Sequence, residues 1–344
     1  MNSNSKMGNN KRNNPLKKSL GIGAGIGIHA SAFAEAIPGE EIKVGVIGLS
    51  VHSAAYTEII NSGASSPEFS GCRVVAIFHP KGNPDVEFSE KQLQSFTDTI
   101  KGQGVEFVSS IKKLLKKVDA VMLLTNDGRP HLKEIMPVLK AGKPVYVDKP
   151  LAATLSDVLA IFKVSKKYNV PMFSCSPLRY VKEAQEIREG KVVGKVLGAS
   201  TYGPAPLQKS HADLFWDGIH AVESLYTVLG GIGCKTVSRT TAYDADVVVG
   251  TWEDGRIGVF RGIRKGKSGF GGTAFGDKGI ASIGAFNGYR PLVVAIVAFF
   301  RSGITPISDE ETIEIYAFME AADESKRLGG IPVNLSEVLL RAKK

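Results

Sequence analysis

Val145-Tyr146-Val147-Asp148-Lys149-Pro150 decides how this chain is read. Pro144 to Val147 is a short apolar run that reads as a buried parallel strand. At its carboxyl end it delivers an acid, a lysine and a proline. In an open α/β sheet, ligands bind in the crevice beyond the carboxyl ends of the strands. A lysine there can donate to a substrate oxygen or to a cofactor ribose, and proline stiffens the turn that aims it. An isolated Asp-Lys-Pro turn is more often simply solvated, so the surrounding chain has to decide.

Upstream, Ala120 to Leu124 is a continuous apolar run, hence a central strand, ending in Thr125-Asn126-Asp127-Gly128-Arg129-Pro130-His131. A helix is expected over 131–141, with Leu132, Ile135, Val138 and Leu139 on one face and Gly142 as its stop. Earlier still, Ile42 to Ile47 reads as a strand, followed at once by Gly48-Leu49-Ser50-Val51-His52-Ser53 and a helix-compatible run that stops at Gly63. Strand, tight turn and helix form the context that a dinucleotide-binding loop requires. Gly48 holds the first glycine position, but Ser50 and Ser53 stand where the second and third glycines normally lie. Serine crowds the backbone approach to a pyrophosphate, although its hydroxyl and the helix amino terminus can still donate to it.

The second strand, Arg73 to Phe78, ends in His79-Pro80-Lys81-Gly82, where an acid would grip an NAD ribose. Lys81 is a conceivable contact for a 2′-phosphate, so NAD and NADP both stay open. A strand near Val105 to Val108 leads into a serine-capped helix. Beyond the Asp-Lys-Pro turn come a helix capped by Thr154-x-x-Asp157 and a strand at Met172 to Ser174. This alternation predicts a doubly wound parallel sheet over residues 41–176. After residue 177 the pattern changes. Gly198 to Tyr202, Val247 to Gly250 and Arg256 to Ile263 resemble strands, with helices opening near Trp216 and at Ser308. Residues 177–344 therefore read as an α+β domain on an open, mostly antiparallel sheet.

The chain has 344 residues with 43% hydrophobic content, ample for two domains. Its first 34 residues differ from the rest. Asn and Ser dominate residues 2–14, basic residues follow, then a Gly-rich apolar run from Leu20 to Ile28 and Ala32-Phe33-Ala34. That order describes a secretory signal peptide, too short to span a membrane, and implies export, to a periplasm for instance. Gly21 to Gly27 is not a nucleotide loop, because no strand precedes it. Without residues 1–34, 38 Lys and Arg face 34 Asp and Glu, so the formal charge falls from +9 to +4. No basic stripe with interleaved aromatics argues for nucleic acid. Cys72, Cys175 and Cys234 show no metal-ligand spacing and read as buried small hydrophobes.

Gly45-Val46-Ile47-Gly48, Pro130-His131, Ala141-Gly142-Lys143-Pro144-Val145, Asp148-Lys149-Pro150, Gly218-x-His220 and Ala321-Ala322-x-x-Ser325 together resemble the Gfo/Idh/MocA oxidoreductase family over about residues 41–335. The resemblance implies a Rossmann nucleotide-binding domain followed by a sheet domain that holds substrate and often mediates oligomerisation. It also implies hydride transfer between NAD(P) and a sugar, inositol or related polyol. Carried over, Lys149 and Pro150 match the family's Glu-Lys-Pro turn, and Lys149 contacts the reacting hydroxyl and the nicotinamide ribose. Gly48, Ser50 and Ser53 match the phosphate loop, and Asn126, Pro130 and His131 match the cofactor-side turn. His220 matches the histidine that serves as acid/base.

The family usually places an aspartate four residues before that histidine, where this chain has Trp216. Asp217, one position later, either replaces it through a bent helix start or caps the helix, and local pattern favours the cap. Arg179 and Trp216 are further candidates for lining a sugar pocket. No metal site is expected. Two other functions are compatible with the sequence: an NAD-dependent glycoside hydrolase of the same superfamily, and a non-catalytic partner protein with a vestigial site.

Overall fold

Three strand ends lie level at the centre of the structure and carry the loops of interest. The computed structural model describes residues 41–69 and 71–343; the signal-peptide reading of residues 1–34 falls outside them. The first sheet comprises β1 (Ile42–Ile47), β2 (Cys72–Phe78), β3 (Glu106–Phe107), β4 (Ala120–Leu123), β5 (Val145–Val147) and β6 (Met172–Phe173), all parallel, in the order β3-β2-β1-β4-β5-β6. Helices α1 (Val51–Ser62), α2 (Glu90–Gly102), α3 (Ile111–Leu114), α4 (His131–Lys140) and α5 (Leu155–Tyr168) make the crossovers. β4 and β5 are buried at every residue, so their unbroken apolar runs follow from having both faces covered. Ile47 pairs with Leu123 and Leu123 with Val147, which sets Gly48, Leu124 and Asp148 side by side at one edge. The strand order reverses between β1 and β4, which marks the ligand crevice of a doubly wound sheet.

The second sheet runs β12-β11-β7-β10-β9-β8-β13. Its strands are β7 (Val196–Pro204), β8 (Cys234–Thr241), β9 (Ala245–Trp252), β10 (Ile257–Ile263), β11 (Gly271–Gly276), β12 (Ile280–Ser282) and β13 (Val333–Asn334). Only the β7–β10 pair is parallel. Burial alternates along β9 and β10, as expected for a sheet covered on one face. α7 (Gly218–Leu229), buried throughout, and α9 (Asp309–Arg327) pack on that face, while α6 (Lys182–Arg188), α8 (Arg290–Ser302) and α10 (Leu335–Ala342) complete the fold. Leu197, Tyr202, Ile257 and Phe275 are exposed on these strands.

Several elements escape a periodicity reading. α2 fully buries only Ile100, with Leu93 and Phe96 half-buried on the same narrow stripe, and the Ser89/Gln92 capping box is its clearest signal. β8, β11, β12 and β13 are rich in Gly, Ser and Thr or very short. The run Leu292 to Phe300 belongs to α8, whose Phe299 ring lies 5.0 Å from Phe173 of the first sheet. The three cysteines are free and buried, and burial pushes the thiols of Cys72 and Cys234 up to about 12. No helix among the described residues is long and apolar enough to cross a membrane, and no cluster of metal-ligating side chains occurs among them.

Candidate active site at the strand ends

Gly48 sits at φ +102, and a Cβ there would lie 2.3 Å from the Thr125 amide nitrogen. Only glycine lets the β1 turn pass so close to the end of β4. The next residues close on themselves. The Ser50 side chain accepts from the Ser53 amide, and the Ser50 amide donates to Ser53 Oγ at 2.6 Å, a reciprocal box that starts α1. Both serines are buried and committed to the helix start. The amides of Val51 and His52 have no acceptor among the described residues, as expected for a first helical turn.

Across the crevice, Lys149 Nζ lies 3.5 Å from Asp217 Oδ1 and 3.5 Å from the Trp216 carbonyl. Asp217 occupies the position before α7 but makes no side-chain cap hydrogen bond; its carboxylate turns to Lys149 instead. One turn on, His220 Nδ1 lies 2.6 Å from Ser176 Oγ. The Ser176 amide donates to Glu223 Oε2, and Glu223 Oε1 accepts from Arg179 Nε at 2.7 Å. Burial, then the nearby charges of Lys149 and His52, push His220 well below its ordinary value and keep the imidazole neutral. On the other side of Lys149, His52 Nδ1 lies 2.5 Å from Asp148 Oδ2. Burial alone would raise the Asp148 carboxyl; the charge and hydrogen bond of His52, with the charge of Lys149, outweigh it and hold the group ionised.

A shallow cleft lies at the switch point, with Gly48, Leu49, His79, Glu87, Thr125 and Asn126 among its walls. His79 Nδ1 is buried without a hydrogen-bond partner at the end of β2, and burial lowers its proton affinity against the opposing pull of Glu87. Asp127 joins two loops over this cleft: Asn83 Nδ2 donates to it at 2.5 Å, Arg129 pairs with it, and His211 Nε2 lies 3.3 Å away. Against the effect of burial, hydrogen bonds from His211, Arg129 and Asn83 hold the Asp127 carboxyl well below the usual range. Two free amides at a helix amino terminus, a cleft at the topological switch and an orphaned imidazole nitrogen at the ribose end of β2 fit a dinucleotide.

Residues 42–175 match the profile of an oxidoreductase family, GFO_IDH_MocA, described by its NAD-binding Rossmann fold. The nucleotide-binding half is that of the Gfo/Idh/MocA oxidoreductases. Over the whole fold, the chain is similar to a probable dehydrogenase from Thermotoga maritima (20% identity, TM-score 0.70, 86% of this chain and 100% of that one). It is also similar to myo-inositol 2-dehydrogenase from Lactobacillus plantarum (16% identity, TM-score 0.70, 86% and 99%). A third likeness is to an oxidoreductase from Agrobacterium radiobacter solved with NAD+, L-tartaric acid and magnesium (15% identity, TM-score 0.68, 86% and 99%). These low identities establish the shared fold. No curated protein matches the sequence.

Within this Gfo/Idh/MocA frame, the sequence-derived candidates part company. Lys149, Asp217 and His220 converge, and Gly48 and Asn126 line the cleft. Ser50 and Ser53 are spent on each other. His131 is fully buried, with its two ring nitrogens 3.1 Å from the Leu151 carbonyl and 2.9 Å from that of Thr125. It ties the two strand-end turns together and presents no nitrogen to the cleft. Pro130 precedes α4, and the Lys149–Pro150 peptide is cis. Arg179 does not line a sugar pocket: it is buried between Glu223 and Glu311, 2.7 Å from each. Lys81 is absent from the cleft walls. His52 and His211 were invisible as site residues, because both reach it by contacts distant in sequence.

The neutral His220 gives a pH dependence with a definite sign. Its folded proton affinity is depressed, so the unfolded chain binds the extra proton first as pH drops below about 6.5. Stability is therefore intact above that value and falls as the solution is acidified, by at most about 1.4 kcal/mol per pH unit from this group. Urea unfolding of the wild type and of His220→Asn between about pH 7 and pH 5 should show a shallower acid loss in the variant.

Proposed function

We propose that this chain is an NAD-dependent dehydrogenase of a secondary alcohol on a polyol or sugar. The observation that carries it is Lys149, fixed at the end of β5 between the dinucleotide cleft and the Asp217–His220 side of α7. The bound nicotinamide supplies the hydride acceptor. Lys149, as an ammonium, donates to the substrate oxygen and lowers the charge cost of the alkoxide that develops there. Asp217, part exposed, holds Lys149 in position, and His220 Nε2 has no partner among the described residues and is left for the same oxygen. The cyclic polyol class follows from solved structures of like fold that are themselves inositol dehydrogenases. The exposed apolar residues on the second sheet, Leu197, Tyr202, Ile257 and Phe275, suit pairing of two copies.

Glu87 and Asp127 line the cleft, and no lysine or arginine does. Asp127 is neutralised by Arg129, so the carboxylate a 2′-phosphate would meet is Glu87, with no lysine or arginine lining the cleft beside it, and NAD is the dinucleotide that fits better. NADP should bind at least about tenfold more weakly than NAD by calorimetry, and Glu87→Gln should narrow the gap. Equal affinities would reject this reading of the cleft.

The deciding experiment begins with protein starting at residue 35, equilibrated with NAD and then screened against myo-inositol, scyllo-inositol and aldoses for NADH formation. Turnover of any of them supports the dehydrogenase. Release of free sugar from a glycoside without NADH would move the assignment to the hydrolase. Absence of dinucleotide binding would move it to a partner protein, a reading that the self-satisfied Ser50/Ser53 loop keeps in view.

A further inference from the structure

Two histidines flank Lys149, and the hydrogen bonds on their Nδ1 atoms differ in kind. His220 Nδ1 faces Ser176 Oγ at 2.6 Å. That buried hydroxyl accepts from the Leu178 amide at 3.2 Å and has no other acceptor for its own hydrogen among the described residues, which assigns that hydrogen to His220 Nδ1. A neutral imidazole that accepts at Nδ1 carries its proton on Nε2 and is a donor there, not a base. His52 is the reverse. Its Nδ1 faces the carboxylate of Asp148, which can only accept. Nδ1 therefore carries the hydrogen, and in the neutral ring Nε2 keeps a lone pair; that nitrogen has no partner among the described residues.

The His52 ring is held rigidly. It stacks on Tyr56 of its own helix at 5.2 Å and meets the edge of Tyr289, ahead of α8, at 5.0 Å. The ring touches Asp148 and those two tyrosines; Lys149 acts with it on Asp148, both act on His220 of α7, and Tyr146 reaches the same carboxylate. Tyr146 adds a weak bond of 3.4 Å to the other oxygen of Asp148. An imidazole oriented by a buried carboxylate is the arrangement that stabilises an imidazolium once a proton arrives.

We propose that Asp148 and His52 are the acid–base pair of this site, with His52 Nε2 taking the hydroxyl proton and His220 Nε2–H orienting the same oxygen as a donor. The inference rests on the dehydrogenase reading. NAD would supply the hydride acceptor as the carbinol C–O bond becomes C=O; the O–H proton passes to His52, whose charge Asp148 balances. The proton then leaves to solvent, so no further reactant is needed.

The test has an arm that needs no substrate. Long-range proton–nitrogen NMR of histidine-labelled protein, with His52→Asn and His220→Asn as assignment controls, reads each tautomer directly near neutral pH. The expected result is hydrogen on Nδ1 of His52 and on Nε2 of His220. A bare Nδ1 on His52, or a bare Nε2 on His220, overturns the proposal whatever the chain's substrate. In turnover with NAD and myo-inositol, or whichever polyol of the screen reacts, His52→Asn keeps a donor to Asp148 but lacks the base. It should lose about 10²-fold or more in kcat, regain part of it with added imidazole, and bind NAD as before. Wild-type turnover by that variant would equally overturn the proposal, while failure of every polyol would reject the dehydrogenase reading and leave the tautomers to be judged on their own.

Discussion

Lys149→Met is expected to lower turnover by about 10³-fold while leaving the protein folded, the scale of loss when a donor to a developing oxyanion is removed. The methionine keeps most of the apolar stem, and the side chain is only 12% exposed, so packing changes little. What disappears is the ammonium opposite Asp217 and its hydrogen bond to the substrate oxygen. The thermal midpoint serves as the control. A variant that turns over at the wild-type rate would remove Lys149 from the chemistry, and with it the main support for the proposed reaction.

The largest effect on stability is expected from Arg179→Leu. The guanidinium is 4% exposed and bridges Glu223 and Glu311, and Arg188 also reaches Glu311 at 3.5 Å. Burial raises the Glu223 carboxyl, and Arg179 is the main opposing influence. Removing it strands a buried charge, a change that costs about 3–5 kcal/mol. Urea denaturation would measure the loss, and Arg179→Leu combined with Glu223→Gln should be less damaging than the sum of the two single changes. Additivity would mean that the pair is not coupled. Because Glu223 also holds the Ser176 amide, and Ser176 holds His220, the single variant should impair catalysis in whatever fraction stays folded.

The first sheet was legible because its central strands β1, β4 and β5 are short apolar runs in which local pattern and burial agree. The second sheet was half legible. β9 and β10 alternate cleanly, but β11 is half glycine and β12 is a three-residue edge strand, so neither leaves a period to read. The Asp-Lys-Pro turn and His220 were recognisable as an ordered set. The facing of Asp217 was not: local pattern favoured a helix cap, yet the side chain makes no cap bond and its carboxylate meets Lys149. His52 lay in plain sight in the phosphate loop, yet its partner is 96 residues away and only the level ends of β1 and β5 bring them together. Arg179 misled for the same reason, since nothing local announces Glu311.

The reciprocal Ser50–Ser53 box has a thermodynamic consequence. A glycine-rich phosphate loop is soft until its ligand orders it, and that ordering is subtracted from affinity. Here the first turn of α1 is already rigid, with its remaining amides set in place by the protein's own side chains. Dinucleotide capture would then carry a small conformational-entropy penalty, and the empty and filled loops would share one backbone shape.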